Sequence, residues 1–219
     1  MKDDIVRTIL KTKIIAIIRG LEPEDSLRLV QSWQKAGIRL AEVAFDPSRP
    51  ERDQTVLKTI ELLCRQTKGS MIIGAGTVIS EEKLKAAHKS GAAFMVAPNV
   101  NKKIIKKANQ LDMVTLPGAF SPTEMEKAYE AGADFVKVFP ASVLTPAYIR
   151  AVTNSLSQIP LVAVGGVSSQ NAGDFLKAGC CAVGVGGRLA NKDMIRQGQW
   201  NQIEQEAVDL VNAVGNAER

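Results

Sequence analysis

A lysine stands in the middle of an apolar run, DFVKVF (134–139), that is typical of a buried β-strand. An ammonium group that loses its hydration favours the neutral amine, so burial lowers its pKa. A neutral amine is a nucleophile, and the reaction it suits is Schiff-base formation with a carbonyl group. Lys137 is therefore a candidate catalytic nucleophile, and a lysine held in a structural ion pair is the alternative.

A carboxylate occupies the same kind of position in a second run, LAEVAF (40–45). Burying a charge without a partner is costly, so Glu42 is expected to lie near a cation. Lys137 could supply that cation. The functional interpretation is that Glu42 moves protons as a general acid and base, and the alternative is a purely structural ion pair.

Eight short apolar runs recur along the chain and define the elements that must position these two groups. Each is bounded by Gly, Pro, Asp or Asn, as expected for strands buried on both faces of a parallel sheet. They are residues 14–18, 40–45, 71–76, 93–97, 113–117, 134–139, 161–166 and 182–187.

The segments between these runs carry helix signals. Ser80 and Ser121 precede acidic helical stretches, as N-caps do, and Thr145 precedes a proline at a first helical position. Glycines close four helices at residues 37, 91, 132 and 179. Alternating strands and helices predict a parallel α/β fold. Eight units favour a closed (β/α)8 TIM barrel formed by residues 1–219 as a single domain, with an open doubly wound sheet as the alternative.

Active sites of (β/α)8 barrels lie at the carboxyl ends of the strands. Period-two alternation groups Lys137 with Phe135 and Phe139, and Glu42 with Leu40 and Ala44. The same alternation groups Arg19 with Ile15 and Ile17, and Thr77 with Ile73 and Ala75. Other polar or small residues at these ends are Pro98, Asn99, Pro117, Gly118, Gly165, Gly166, Gly186, Gly187 and Arg188.

Two glycine pairs end the seventh and eighth strands. Free backbone N–H groups beside a helix start can bind an anion, and phosphate often binds there in this fold. We therefore predict an anion site at Gly165, Gly166, Gly186 and Gly187, with Arg188 adding charge and Ser168 or Ser169 capping the next helix.

Composition narrows the function classes. The chain has 219 residues, a net charge of +5 and a pI near 9.1, and the lysines between residues 102 and 107 are expected on a solvated helix face, so no nucleic-acid partner is predicted. No metal-binding cluster, dinucleotide motif, signal peptide or membrane-spanning run is found in the sequence. Three cysteines form no disulfide framework, which favours a cytoplasmic location.

The order of several motifs resembles one family across about residues 5–210. The motifs are AEV (41–43), GAGTV (74–78), APN (97–99), LPGAFSPTE (116–124), VKVFPA (136–141), VGGV (164–167) and VGVGG (183–187). The family is the 2-keto-3-deoxy-6-phosphogluconate / 4-hydroxy-2-oxoglutarate aldolases. The resemblance implies a class I aldolase that needs no cofactor or metal, and a homotrimer.

The same resemblance implies roles for individual residues. Lys137 matches the Schiff-base lysine and Glu42 the acid/base glutamate. Thr77, Pro98 and Phe139 match pocket residues, and Gly165 and Gly166 match a phosphate-binding pair, with Gly186 and Gly187 nearby. Arg19 matches an arginine that faces the pocket in many members.

Three positions depart from the family pattern. Asp46 stands where the family has an arginine that grips the pyruvate carboxylate, and Arg19 or Arg49 is the candidate replacement. Asn99 stands where glycine is usual, and Arg188 replaces a serine.

The predicted reaction is cleavage of a small-molecule 2-keto-4-hydroxy acid to pyruvate and an aldehyde. A phosphosugar isomerase or epimerase on the same barrel and a non-catalytic keto-acid-binding relative are the alternatives.

Overall fold

Parallel strands and helices alternate along the chain in the computed structural model, which describes residues 2–217. The strands are β1 (Ile14–Arg19), β2 (Leu40–Ala44), β3 (Ile72–Gly76), β4 (Phe94–Val96), β5 (Val114–Leu116), β6 (Gly118–Ala119), β7 (Val136–Val138), β8 (Leu161–Val164) and β9 (Ala182–Val185). The helices are α1 (Lys2–Thr12), α2 (Pro23–Ala36), α3 (Asp53–Thr67), α4 (Glu81–Lys89), α5 (Lys102–Gln110), α6 (Pro122–Glu130), α7 (Ala141–Ser155), α8 (Ala172–Lys177), α9 (Lys192–Arg196) and α10 (Trp200–Asn216).

The strands form one parallel sheet in the order β5-β4-β3-β2-β1-β9-β8-β7-β6. Because β5 and β6 are consecutive in the chain, the two ends of this order meet and the sheet curls into a barrel. Helices surround it on the outside, which confirms the predicted (β/α)8 architecture.

The fifth barrel position differs from the prediction because it consists of two short strands. Pro117, which has no N–H group, separates β5 from β6. The Pro117 carbonyl still accepts a hydrogen bond from the Lys137 N–H at 2.9 Å. The Thr115 and Ala119 carbonyls accept hydrogen bonds from the N–H groups on either side of β7 at 3.1 Å each. Nine strands therefore fill eight barrel positions, and hydrogen bonds continue around the closure.

Alternate residues of the strands separate into two apolar layers. Inward side chains, among them Ile15, Leu40 and Phe135, form one cluster inside the barrel, whereas the others pack under the outer helices. Helix α1 precedes the first strand and was not predicted. Its Ile5 and Ile9 join the interior cluster, so α1 closes the floor of the barrel.

Most predicted helix boundaries are confirmed. The Ser80 and Ser121 side chains accept hydrogen bonds from backbone N–H groups in the first turns of α4 and α6, and Ser121 forms a full capping box with Glu124. Within α7, Thr145 has non-helical dihedrals, and the helix resumes at Pro146. The four predicted closing glycines have positive φ.

The predicted cap of α8 was wrong. That helix begins at Ala172, after the turn that contains Ser168 and Ser169. The Asn171 side chain accepts a hydrogen bond from the Ser168 N–H at 2.8 Å and donates one to the Gly166 carbonyl at 3.0 Å. These two hydrogen bonds hold the Asn171 side chain in the loop after β8. The helix therefore begins later in the sequence than predicted.

Within residues 2–217, no helix combines the length and apolar character needed to cross a bilayer. Over the same residues, no three His, Cys, Asp or Glu side chains converge where they could hold a metal ion.

Candidate active site

Lys137 and Glu42 project into the barrel from β7 and β2. Their inward orientation follows from strand alternation, since Phe135 and Leu40, two residues earlier on each strand, belong to the interior cluster. Lys137 is 7% exposed and Glu42 is 3% exposed. The barrel thus buries a cation and a carboxylate in one apolar interior.

The two groups interact electrostatically without touching. No ion pair or hydrogen bond joins Lys137 to Glu42 in the described part of the chain, so the structural ion pair considered from the sequence does not form. Burial lowers the pKa of Lys137, and the charge of Glu42 partly opposes this. Burial raises the pKa of Glu42, and the charges of Lys137 and Arg19 partly oppose that. Both shifts favour the neutral forms.

Phe139 lies beside the amine, as strand alternation predicts. Its ring centroid is 4.4 Å from Lys137 Nζ. Gly165 lies against the other side of this region, since a Cβ on Gly165 would be 3.2 Å from the Phe139 ring. The aromatic ring therefore forms one wall of the space above Lys137.

Arg19 ends β1 at the barrel mouth and is held by two hydrogen bonds. Its Nη1 donates to the Phe45 carbonyl at 3.1 Å, and its Nη2 donates to Thr77 Oγ1 at 3.0 Å. Its positive charge influences the pKa of both Lys137 and Glu42. Arg19 is therefore a fixed cation facing the buried pair.

The prediction that Thr77 shares an inward face with Ile73 and Ala75 was wrong, although Thr77 reaches the mouth. Ile73 and Ala75, predicted to share its inward face, belong to the outer layer. Thr77 follows β3 with φ +57°, a left-handed conformation that ends the alternation. This backbone turn places the threonine hydroxyl beside Arg19.

Pro98 and Asn99 follow β4 and are exposed at the mouth. The Pro98 carbonyl packs so closely against Gly118 that a Cβ there would lie 2.5 Å from its oxygen. Glycine at residue 118 is thus required by close approach of two backbones.

The glycine pairs lie at the ends of β8 and β9. Gly165 and Gly166 have φ +96° and +75°, and Gly187 has φ +44°. Within residues 2–217, the backbone N–H groups of Gly165, Gly166, Gly186 and Gly187 donate no hydrogen bond outside the sheet ladders. These donors are available to an anion.

Arg188 and Asp46 have other partners. Arg188 Nη2 lies 2.6 Å from Glu206 Oε1 on α10, and its side chain is turned outward. Asp46 Oδ1 accepts hydrogen bonds from the Ser48 N–H at 3.0 Å and the Ser48 hydroxyl at 2.6 Å. Arg49 Nε lies 3.8 Å from Asp46. Asp46 therefore organises the loop after β2.

Two residues near the site were missed from the sequence. A Cβ on Gly76 would overlap Glu42 Oε1, so this glycine makes room for the carboxylate. The alternating glycines of IIGAG (72–76) could have signalled a close approach. Ser142, exposed at the start of α7, lies beside Gly166, where a Cβ would be 2.9 Å from its hydroxyl oxygen.

Comparison with known proteins identifies the family to which this chain belongs. The family model described as "KDPG and KHG aldolase" matches residues 5–206. The chain belongs to the KDPG and KHG aldolase family. It is accordingly an aldolase, a carbon–carbon lyase, on a (β/α)8 barrel.

Individual relatives of this aldolase agree in length as well as sequence. The 2-dehydro-3-deoxy-6-phosphogalactonate aldolase of Escherichia coli is 33% identical over 209 residues, covering 94% of this chain and 97% of the relative. A probable 2-dehydro-3-deoxy-6-phosphogalactonate aldolase of Rhizobium meliloti is 36% identical over 186 residues, covering 84% and 85%. A solved structure described as native KDPGal has a TM-score of 0.83 and 32% identity, covering 94% of this chain and 95% of that one.

Proposed function

We propose that this aldolase cleaves a 6-phosphorylated 2-keto-3-deoxy sugar acid to pyruvate and a phosphorylated aldehyde, with Lys137 as the Schiff-base nucleophile and Glu42 as the proton carrier. The observation that carries the proposal is the burial of both groups on one inward face without a direct ion pair. The gap between them leaves Lys137 unblocked toward a carbonyl.

The proposed reaction begins at the substrate ketone. Lys137 Nζ attacks C2, and the resulting carbinolamine loses water to form an iminium ion. Glu42, in its protonated form, supplies the proton that leaves with the water. Its raised pKa suits this step, because a buried carboxyl group keeps its proton to higher pH.

Bond cleavage follows from the iminium ion. A base removes the C4 hydroxyl proton, the C3–C4 electron pair moves into the iminium, and the aldehyde leaves. Protonation of the enamine at C3 and attack by water then release pyruvate and free Lys137. Glu42 is the residue placed to exchange these protons, directly or through one water.

Arg19 is the proposed ligand of the substrate carboxylate. It replaces the family arginine that is missing at Asp46, and its two hydrogen bonds fix the guanidinium before substrate arrives. A preorganised guanidinium loses less freedom on binding a carboxylate. Thr77, Phe139 and Pro98 are proposed to line the same pocket.

The phosphate is proposed to bind the free N–H groups of Gly165, Gly166, Gly186 and Gly187. Ser142 beside Gly166 can supply a hydroxyl. Because Arg188 is paired with Glu206, we assign it a supporting charge and no direct contact.

The nucleophile is tested by trapping. Incubation with pyruvate and borohydride should reduce the Schiff base and add a stable mass to Lys137, located by peptide mass spectrometry. Lys83 is a matched internal control, because it is also partly buried but pairs with Asp53 at 2.9 Å. Labelling of Lys83 with an unmodified Lys137 and intact activity would refute the assignment.

The stereochemistry at C4 is the second element of the proposal. The Escherichia coli and Rhizobium meliloti relatives are named for the galactonate epimer, and the departure at Asp46 lies at the mouth beside Arg19. We expect higher kcat/KM for 2-dehydro-3-deoxy-6-phosphogalactonate than for the gluconate epimer in a coupled assay of pyruvate release. A preference for the gluconate epimer would contradict this element alone.

Assembly and location complete the proposal. We propose a cytoplasmic homotrimer, the assembly state implied by family resemblance. Phe120 and Val143, which are 48% and 65% exposed after β6 and at the start of α7, support self-association because large exposed apolar groups favour contact. Raised thiol pKa values of Cys180 and Cys181, about 12 each, suit cysteines that stay reduced. Light scattering of the wild type and Val143→Asp tests the assembly.

A further inference from the structure

A polar groove on the flank of the barrel is separate from the mouth. It lies between α2 and the start of α10 and has a volume of about 710 Å³. Its lining consists of Arg28, Gln31, Ser32, Gln34, Lys35, Arg39, Trp200, Asn201 and Glu204. None of these residues belongs to the proposed active site, and the volume is within the range of about 300–1,000 Å³ usual for small-molecule sites.

Three cations face this groove against one carboxylate. Arg28, Lys35 and Arg39 form no ion pair in the described part of the chain, and Glu204 is the single acidic group of the lining. Helical spacing places Arg28 and Lys35 on one face of α2, two turns apart. The cations therefore concentrate positive charge along the groove.

The start of α10 adds to this charge. The helix has 17 residues, no acidic residue in its first turn and no side-chain N-cap. In the described structure the Asn201 N–H has no acceptor. The N–H groups of Trp200, Gln202 and Ile203 have acceptors, so the start of α10 offers an anion one free donor, that of Asn201, together with the positive end of the helix dipole.

Ser32 is an independent indication of a ligand. It is 8% exposed, lines the groove, and its Oγ has no hydrogen-bond partner in the structure described for residues 2–217. An unpaired buried hydroxyl destabilises a fold, and native proteins contain few of them. The oxygen itself lies beneath the groove surface, so a bound acceptor would satisfy it only with a small movement of the side chains above it.

Contacts within the protein use only some of the N–H groups of Arg28 and Arg39. Arg39 Nη1 donates to the Gln34 and Ile38 carbonyls at the end of α2, which leaves its Nη2 and Nε without partners in the described residues. The Arg28 guanidinium stacks on the Trp200 ring, with its carbon 4.1 Å from the centroid. Stacking orients Arg28 while its N–H edge stays available.

We propose that this groove binds a phosphorylated small molecule through Arg28, Lys35, Arg39, the Ser32 hydroxyl and the first turn of α10. Phosphate is an anion with several acceptor oxygens, which matches a site whose charged groups are three cations and one carboxylate, Glu204. The site is distinct from the glycine pairs at the mouth and does not depend on the aldolase mechanism.

Trp200 provides a signal from this site alone. The chain has two tryptophans, and Trp33 is fully buried, with its Nε1 donating to the Leu189 carbonyl close to Gly187 at the mouth, so a signal that persists without Trp200 reports the mouth. Titration with inorganic phosphate, pyrophosphate and glucose 6-phosphate should change Trp200 fluorescence saturably for at least one probe. The change should vanish in Trp200→Phe. Trp200 is not part of the proposed active site, so failure here leaves the active-site proposal intact.

Variants make the test specific. Arg28→Gln, Arg39→Gln and Ser32→Ala should each weaken binding by about tenfold, the size of one hydrogen bond to a charged group. Lys106→Gln is the matched control and should leave binding unchanged, because Lys106 on α5 is exposed and forms no ion pair within residues 2–217. Absence of saturation with all three probes, or equal affinity in Arg28→Gln and wild type, would overturn the proposal.

Discussion

At the scale of single residues, Lys137 and Glu42 influence each other through opposite effects. Burial shifts each pKa toward the neutral form, and the charge of the other group opposes the shift. A neutral amine is what attack on a ketone requires, and a neutral carboxyl group is what carbinolamine dehydration requires. The same apolar environment therefore favours the protonation state that the proposed mechanism requires of each group.

Opposite pH shifts are expected from two substitutions around Lys137. Glu42 raises the pKa of Lys137, so Glu42→Gln should lower it and extend Schiff-base formation to lower pH. Arg19 lowers that pKa, so Arg19→Gln should raise it and move the acidic limb to higher pH. The rate of borohydride trapping at saturating pyruvate, followed against pH by intact mass, measures both.

Glu42→Gln should also reduce kcat by roughly 10²–10⁴-fold, as loss of a general acid–base does. Shifts of both variants in the same direction would show that the field at Lys137 has another origin.

At the scale of elements, β3 shapes the space for Glu42 on β2. The two strands are paired in parallel, and Gly76 faces the carboxylate across them. The absence of a side chain at residue 76 thus leaves space for the carboxylate that carries protons in the proposed mechanism.

Gly76→Ala should displace Glu42 and lower kcat, because its Cβ would overlap Glu42 Oε1. Overpacking should also cost about 1–3 kcal/mol of unfolding free energy. Gly215→Ala is the matched control, since Gly215 lies in α10 and a Cβ added there would have no atom within 4 Å. Steady-state kinetics and urea unfolding compare Gly76→Ala with Gly215→Ala. A wild-type kcat in Gly76→Ala would exclude a displacement of Glu42.

Regular strand alternation accounts for the predicted side-chain directions that are correct, whereas Ile73 and Ala75 on β3 point away from the predicted face. Lys137, Glu42 and Arg19 follow the alternation along long apolar runs. The prediction fails where the backbone leaves that geometry, as at Thr77, whose left-handed conformation no period describes, and at Pro117, which divides one strand in two.

Features that depend on tertiary contact were also missed. The pairing of Arg188 with Glu206 and the approach of Gly76 to Glu42 join residues far apart in the chain. Helix α1 was not predicted because its short amphipathic pattern does not reveal which surface it covers.

At the scale of the whole molecule, α1 seals the barrel floor. Ile9→Ala should lower the unfolding free energy by about 2–5 kcal/mol, the usual cost of emptying a fully buried isoleucine site. Leu10→Ala on the same helix is the control, because Leu10 is 43% exposed and should change stability by about 0.5 kcal/mol or less. Urea unfolding curves measure the unfolding free energy of both variants. Equal losses in the two variants would mean that packing of Ile9 in the barrel floor does not stabilise the protein.

Because α1 closes the floor, the substrate enters and both products leave through the mouth of the barrel. The two products therefore compete for one exit. In the proposed mechanism, the pyruvate half stays covalently bound to Lys137 inside the barrel until hydrolysis, whereas the aldehyde is free as soon as the C3–C4 bond breaks. Departure should therefore be ordered, with the aldehyde first and pyruvate last. Pyruvate should then inhibit competitively against substrate and the aldehyde should inhibit noncompetitively, and the reverse pattern would point to a second exit.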